Sequence, residues 1–483
     1  MTKKTSVLRA SLTGFTGLVG AAVAAVVVAA VCILPLPGFT SAVTPLEVSP
    51  LPSEQTRVCS GPLLQVLSKM GGATTYFAAG SPSTTMTDAR GASIATRRIS
   101  QPDVAPSGST GAPTAVSVPP AAASSPQPLL AATQLQQIVS EELSGLAAAT
   151  CAEASGDVWL VGGATNVGRT TLVLLTNPTQ VTARVSLEIL GENGLVKTPG
   201  VGAIIIEPSQ QRVVSLAAYA PNVLSPVVHV TSVGGQVVAS LQQSIMRALV
   251  PGGVETVTAS AGPNTTQVMT GVVLTGLAAQ DQGETGLVSS DLEPTIRVAV
   301  PGAEASDVVI TVLGASGARA EVHATVEPLH TLQLPFTGLV DGAYTVVVTG
   351  TNPVVAGVRS VQAATTPSVT GGDFAWHSSA LALTGDTLIP VAAGPGPTLS
   401  LYNPTALPIT AQLSSARAPE LTIVVAAGTM MAAPLAAMSA TKYLLKSGAG
   451  LHAALTYSGP GIGASVAISP TDQRGASIQV YPR

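Results

Sequence analysis

Beyond residue 151 apolar and polar positions trade places every second residue. Ala183, Val185, Leu187 and Ile189 alternate with Arg184, Ser186 and Glu188, the period of a strand with one face buried. Three stretches repeat this texture in one order: 172–194, 204–216 and 227–244; then 296–317, 324–334 and 344–362; then 398–415, 421–435 and 451–469. In each, a strand ends near Asn-Pro or Pro-Gly and an alternating strand follows. A Gly-rich turn then leads to a further strand, and a hairpin closes the unit.

Short strands broken by frequent turn signals predict an all-β chain of tandem immunoglobulin-like or fibronectin-like β sandwiches. The modules are expected at 151–260, 261–366 and 367–483, the alternative being one continuous array that shares strands. Trp159 in GDVWLVGG and Trp376 in GDFAWHSS precede the first and third modules and are expected to anchor cores.

Upstream the period changes. Leu135, Ile138, Val139, Leu143 and Leu146 fall at helical spacing and predict one amphipathic helix over 134–149. Residues 78–128 are dominated by Ser, Thr, Ala, Pro and Gly, which predicts a disordered linker suited to O-glycosylation. Residues 40–150 thus read as a Pro/Ser/Ala-rich stalk carrying that helix. GPLLQVLSKM (61–70) fits an opening strand or a short helix equally.

The start of the chain has a third pattern. A tail at 1–11 carries Lys3, Lys4 and Arg9, and no charged residue follows until Glu47. Within 12–39 the run LVGAAVAAVVVAAVCILPL is long enough to cross a ~30 Å hydrocarbon core as a helix. The basic residues stay cytoplasmic under the positive-inside rule, so a single-pass protein with its C-terminal bulk outside is expected. Secretion after cleavage near Ala42 is the alternative, since Thr40-Ser41-Ala42 offers the small residues a signal peptidase accepts. Outside the cytoplasm Cys59 and Cys151 are expected to form a disulfide, the alternative being two unpaired thiols.

Composition narrows the chemistry. Charged residues make up 10%, with 48 Gly and 37 Pro, which disfavours helical bundles and suits strands joined by turns. A net charge of −4 without a basic stripe argues against nucleic acid, and no GxxxxGK[ST] loop argues for a nucleotide. The histidines at 229, 323, 330, 377 and 452 are scattered without metal-ligand spacing, so neither metal nor cofactor is expected. Asp281, Asp291, Glu293, Asp307 and Asp373 lack calcium-loop spacing and are expected as solvated turn residues. Ser439-Ala440-Thr441-Lys442 matches SxxK without the SDN and KTG that accompany it in penicillin-binding enzymes. Asn264-Thr265-Thr266 fits an N-glycosylation sequon.

The anchor, the cysteine pair, Trp159, Gly162, Gly163, Leu172, Leu174, Asn177, Pro178 and the later PVVAGVRSVQ together resemble an uncharacterised family of actinobacterial secreted or membrane-anchored proteins. The resemblance implies an envelope location and no known activity. The expected role is a non-enzymatic extracytoplasmic scaffold or interaction protein, meeting the membrane through its N-terminal helix and other envelope proteins or cell-wall polymers through its modules. One alternative is an envelope polysaccharide-binding or glycan-assembly accessory module, with Tyr219, Trp376 and Tyr402 as ligand-facing aromatics. Only 3% aromatic residues counts against it. The other is a serine hydrolase built on Ser439 and Lys442.

Overall fold

Alternation of the kind seen at 183–189 runs through most of the chain, and the computed structural model turns it into strands. It describes residues 22–23, 46–48, 54–470 and 478–480, less 69–73, 90, 92, 107–110, 121–129, 201, 248, 278–292, 316, 318, 364–371 and 437–438. The fold is all-β, and among the described residues a 3-10 turn at Leu216–Ala218 interrupts the strands. The 12–39 segment lies outside the described residues except for two positions, and among the described residues no helix is long and apolar enough to cross a membrane. Two compact units are present. In the smaller, Leu46–Val48 pairs antiparallel with Ile478–Val480. The larger, 51–474, holds everything that follows.

Over its described residues from 54 to 150 the stalk expected at 40–150 is corrected by the structure: these form three small sheets instead of a linker with a helix, while 40–45, 49–53 and 121–129 lie outside the described residues. Gln55–Cys59, Thr114–Val118 and Ala95–Arg98 make one, and Leu64–Ser68, Thr74–Ala78 and Val104–Ala105 make a second. Ser83–Asp88, Leu130–Val139 and Ser144–Thr150 make the third. The predicted helix is therefore a hairpin. Ser140 reverses the chain, its amide and hydroxyl both donating to the Leu143 carbonyl at 2.7 and 3.1 Å. In the former linker, Val116 and Val118 are buried, as are the methyl-bearing Thr85 and Thr87, so small residues supply a core where composition suggested none.

The cysteine expectation holds: Cys59 and Cys151 are disulfide-bonded. The bond ties the first strand of this region to the end of its last, and both sulfur-bearing residues are buried.

From 157 to 257 two sheets share one apolar cluster. Asp157–Val161, Val227–Gly234 and Ala183–Gly191 form the first, with Gly194–Leu195 and Ile204–Ile206 attached; Gln210–Ser215, Arg169–Asn177, Val238–Arg247 and Val250–Val257 form the second. Val185, Leu187 and Ile189 meet Val173, Leu175 and Leu241 between them, while Arg184 and Glu188 face solvent.

The middle region turns on a 22-residue strand, Gly342–Ala363. Its first half pairs with Asn264–Leu274 and Ser306–Gly314, its second half with Thr295–Ala299 and Gly372–Ser378. Gly372–Ser378, assigned from sequence to the 367–483 segment, thus hydrogen-bonds to the middle region. The last region also sets two sheets around one cluster, each of four strands: Thr387–Val391, Thr441–Lys446, Ile409–Ser415 and Ala418–Val425 in that order, and Met430–Pro434, Thr398–Tyr402, His452–Gly459 and Ile462–Ile468.

Candidate functional site

Four sheets, one from each region, bring an edge strand to a common centre. The strands are Ser144–Thr150, Val250–Val257, Gly372–Ser378 and Ile462–Ile468, and each packs against the next in a ring. A buried edge strand leaves N–H groups that need acceptors. Two carboxyls supply them.

Asp373 Oδ2 accepts from Leu146 N at 2.8 Å and Gly463 N at 3.3 Å, and its Oδ1 accepts from Phe374 N at 3.0 Å and Val254 N at 3.2 Å. Glu255 Oε1 accepts from Thr256 N at 2.8 Å and Ala148 N at 3.2 Å, with Ser465 N at 3.4 Å from Oε2. All four edges therefore meet at two side chains. Gly145 and Gly253 permit the approach: both have positive φ, and an added Cβ on either would lie 2.7 Å from Asp373 Oδ1.

Burial pushes the Asp373 carboxyl up to about 7 against the pull of its four amides. Burial likewise holds Glu255 well above the carboxylate range, and the neighbouring Asp373 adds to the rise. The solvated turn residue expected at 373 is thus a buried acid. Glu255 was not singled out at all, although it is the one charged residue in the apolar run PGGVETVTA.

A second buried charge joins the middle region to the one before it. Arg297 is 1% exposed, donates from Nη1 to the Pro226 carbonyl at 2.7 Å, and reaches Gln333 Oε1 from Nε and Nη2. Its guanidinium lies 4.6 Å from the Trp376 ring centroid. Burial and the nearby Arg359 pull its pKa well below the arginine range.

The sequence-selected aromatics fall inside. Trp376 is buried in the cluster of residues 158–257 and donates from Nε1 to Gln243 Oε1 at 2.6 Å. Tyr402 is buried against Val268 and Met430, and Tyr219 is half-buried against the cluster that holds Trp376. Trp159 is buried too, stacked on His229 at 3.9 Å between centroids, with Asp157 and Glu188 on the two imidazole nitrogens. Both tryptophans therefore act as core anchors.

No hydrogen bond joins Ser439 to Lys442. Ser439 Oγ accepts from Arg417 Nη1 at 3.2 Å, while Lys442 stands exposed on Thr441–Lys446. Among the described residues no group of three His, Cys, Asp or Glu side chains is placed to hold a metal ion.

One cavity of about 270 Å³ opens beside the disulfide. Leu130, Ser260, Leu388 and Ile468 line it, and the Arg57–Glu153 ion pair at 3.0 Å stands on its wall. Arg57 Nε also donates to the Leu130 carbonyl at 3.2 Å. Among the described residues no aromatic ring lines this cavity, so they give it none of the flat faces on which sugars stack.

A family model described as a family of unknown function (DUF5719) matches residues 104–436. No curated protein and no solved structure matches the chain.

Proposed function

The chain belongs to this family of unknown function, and from that premise we propose that it is a non-enzymatic scaffold or protein-interaction protein of the cell envelope. In this reading residues 12–39 anchor it in the membrane, and immunoglobulin-like sandwiches carry its contact surfaces outside. The observation that supports it is where the interior charge is directed. Asp373 and Glu255 accept backbone amides, and Arg297 donates to backbone carbonyls and to Gln333. Buried ionisable groups that serve chemistry face a cleft and a reacting atom. These face neighbouring backbone and one glutamine side chain.

The cavity beside the disulfide supports a second reading, a binding module for an envelope polymer. The lack of aromatic rings among the described residues that line it favours the first.

Two measurements on the full chain separate the readings. A fluorophosphonate probe is expected to leave Ser439 unlabelled, and labelling lost in Ser439→Ala would overturn the non-enzymatic role. Sedimentation with insoluble cell-wall polymer is expected to retain no more native than heat-denatured protein; specific retention would favour the binding module.

A further inference from the structure

We propose that Arg319–Val326 is a docking edge for a second copy of this chain, the two strands pairing antiparallel about a two-fold axis at Val322. The strand is the outermost of its sheet. It pairs with Ser306–Gly314 on one side, and among the described residues no strand takes the other. Its N–H and C=O groups on that side form a row on which a further strand can pair. Every residue before Val326 is exposed or half-exposed.

The corresponding outermost strands of the other two repeats are blunted. Ile204–Ile206 is three residues long, and Ala418–Val425 contains Pro419, which interrupts the row of donors. Arg319–Val326 is eight residues long and has no proline. Ala324 and Val326 turn towards the apolar cluster of the middle region, and Val322 shares their face. Val322 is nevertheless 41% exposed, because the sheet ends beside it. A further strand would cover it.

The opposite face of the strand selects the partner. Arg319 bonds Glu321 from Nε at 3.1 Å, so the face carries both signs and not one repelling charge. Ladder pairs alternate between hydrogen-bonded and non-hydrogen-bonded, so a strand that pairs with itself must set one residue against its own copy. With the axis at Val322 nearly the whole strand is paired. Arg319 then meets Thr325 of the second copy, Ala320 meets Ala324, and Glu321 meets His323, whose ring N–H donates to the carboxylate. Thr325 donates from its hydroxyl to Asp307 Oδ1 at 2.7 Å, so Arg319 is also brought towards that carboxylate of the second copy. An axis at residue 321 would set two glutamates against each other, and one at 323 two histidines. The strand is therefore self-complementary in one register.

This pairing needs neither a membrane anchor nor an envelope location. A contact through one strand is small, so a dissociation constant on the order of 10 μM is expected. Hydrogen exchange on the full wild-type chain between about 1 and about 100 μM brackets that value. Protection in Arg319–Val326 is expected to rise with concentration while Ala418–Val425 stays constant. Exchange in Arg319–Val326 that is independent of concentration would overturn the pairing and leave the edge to a foreign strand; the scaffold reading would still rest on its own two measurements. Cysteine linkage tests the register. Val322→Cys is expected to join two chains on mild oxidation, and Ala320→Cys to join no more than the wild type; equal linkage by both would overturn the axis. Adding Glu321→Arg to Val322→Cys is expected to lower linkage about tenfold, and His323→Glu to restore it. Linkage unchanged by Glu321→Arg would overturn the charge pairing.

Discussion

Asn177 and Asn403 occupy the same turn in two of the three repeats, bond for bond. Each donates from Nδ2 to the carbonyl four residues on, Val181 at 2.8 Å or Leu407 at 2.7 Å, and to a distant carbonyl, Ile206 or Val425, at 3.0 Å. Each accepts at Oδ1 from the amide and hydroxyl of the Thr two residues on, Thr179 or Thr405. Both asparagines are fully buried, so alanine would take a donor from the carbonyl of buried Ile206 or Val425 and leave the Thr179 or Thr405 amide without its acceptor. Asn177→Ala is expected to lower unfolding stability by about 2 to 4 kcal/mol, and Asn403→Ala by the same amount because the contacts are the same. A urea midpoint that falls with unchanged slope checks this; a loss well under about 1 kcal/mol would show that the turn is only decorated by its asparagine. The middle repeat puts Pro301-Gly302 at the corresponding place, and its Asn352 donates instead to the Ala305 carbonyl. The Asn-Pro signal noticed in sequence thus marks a recurring hydrogen-bonded corner in the outer repeats and a different contact in the middle one.

At the scale of elements, legibility followed how many faces a strand buries. Ala183–Gly191 buries one face and shows solvent the other, so its period of two is written in the residues. Leu130–Val139 is buried on both faces over most of its length, and its polar residues hid the strand rather than marking its outside. Gln134 and Gln136 point inward, where their side chains bond the amides of Gly61 and Leu63 and the carbonyls of Gly61 and Ala79. With polar side chains inside and small ones between, the spacing of Leu135, Ile138 and Leu146 imitated a helix. The junction acids were illegible for a related reason: their partners are backbone amides, which leave no trace in side-chain identity. The disulfide, by contrast, was legible because only two cysteines remained to pair. It closes a segment whose strands also bond to the next region, Gln242 spanning the amide and carbonyl of Leu64 at 2.7 Å each. Cys59→Ser with Cys151→Ser is therefore expected to cost about 2 to 5 kcal/mol without abolishing strand content. Thermal melts followed by circular dichroism, with and without reductant, check it. Full loss of structure on reduction would show that the N-terminal sheets have no other hold.

For the whole molecule, the extent of the family match and the extent of the folded body differ, and the difference has a measurable consequence. The match begins at 104 and ends at 436. A fragment with those limits keeps Thr114–Val118 but loses Gln55–Cys59 and Ala95–Arg98, the two strands that flank it. It also loses Cys59, leaving Cys151 unpaired. At the other end it loses Thr441–Lys446, which lies between Thr387–Val391 and Ile409–Ser415, and His452–Gly459, which lies between Thr398–Tyr402 and Ile462–Ile468. Each final sheet is thereby cut through its middle. The Gly463 and Ser465 amides go too, so Asp373 and Glu255 are left buried with fewer donors, an arrangement that costs more than an exposed acid. Fragment 104–436 is accordingly expected to show no cooperative melt, whereas 54–470 melts as the full chain does. Calorimetry on both distinguishes the outcomes. A sharp transition in 104–436 at the temperature of the longer fragment would mean that the regions fold independently and that the four-strand junction adds little to holding them together.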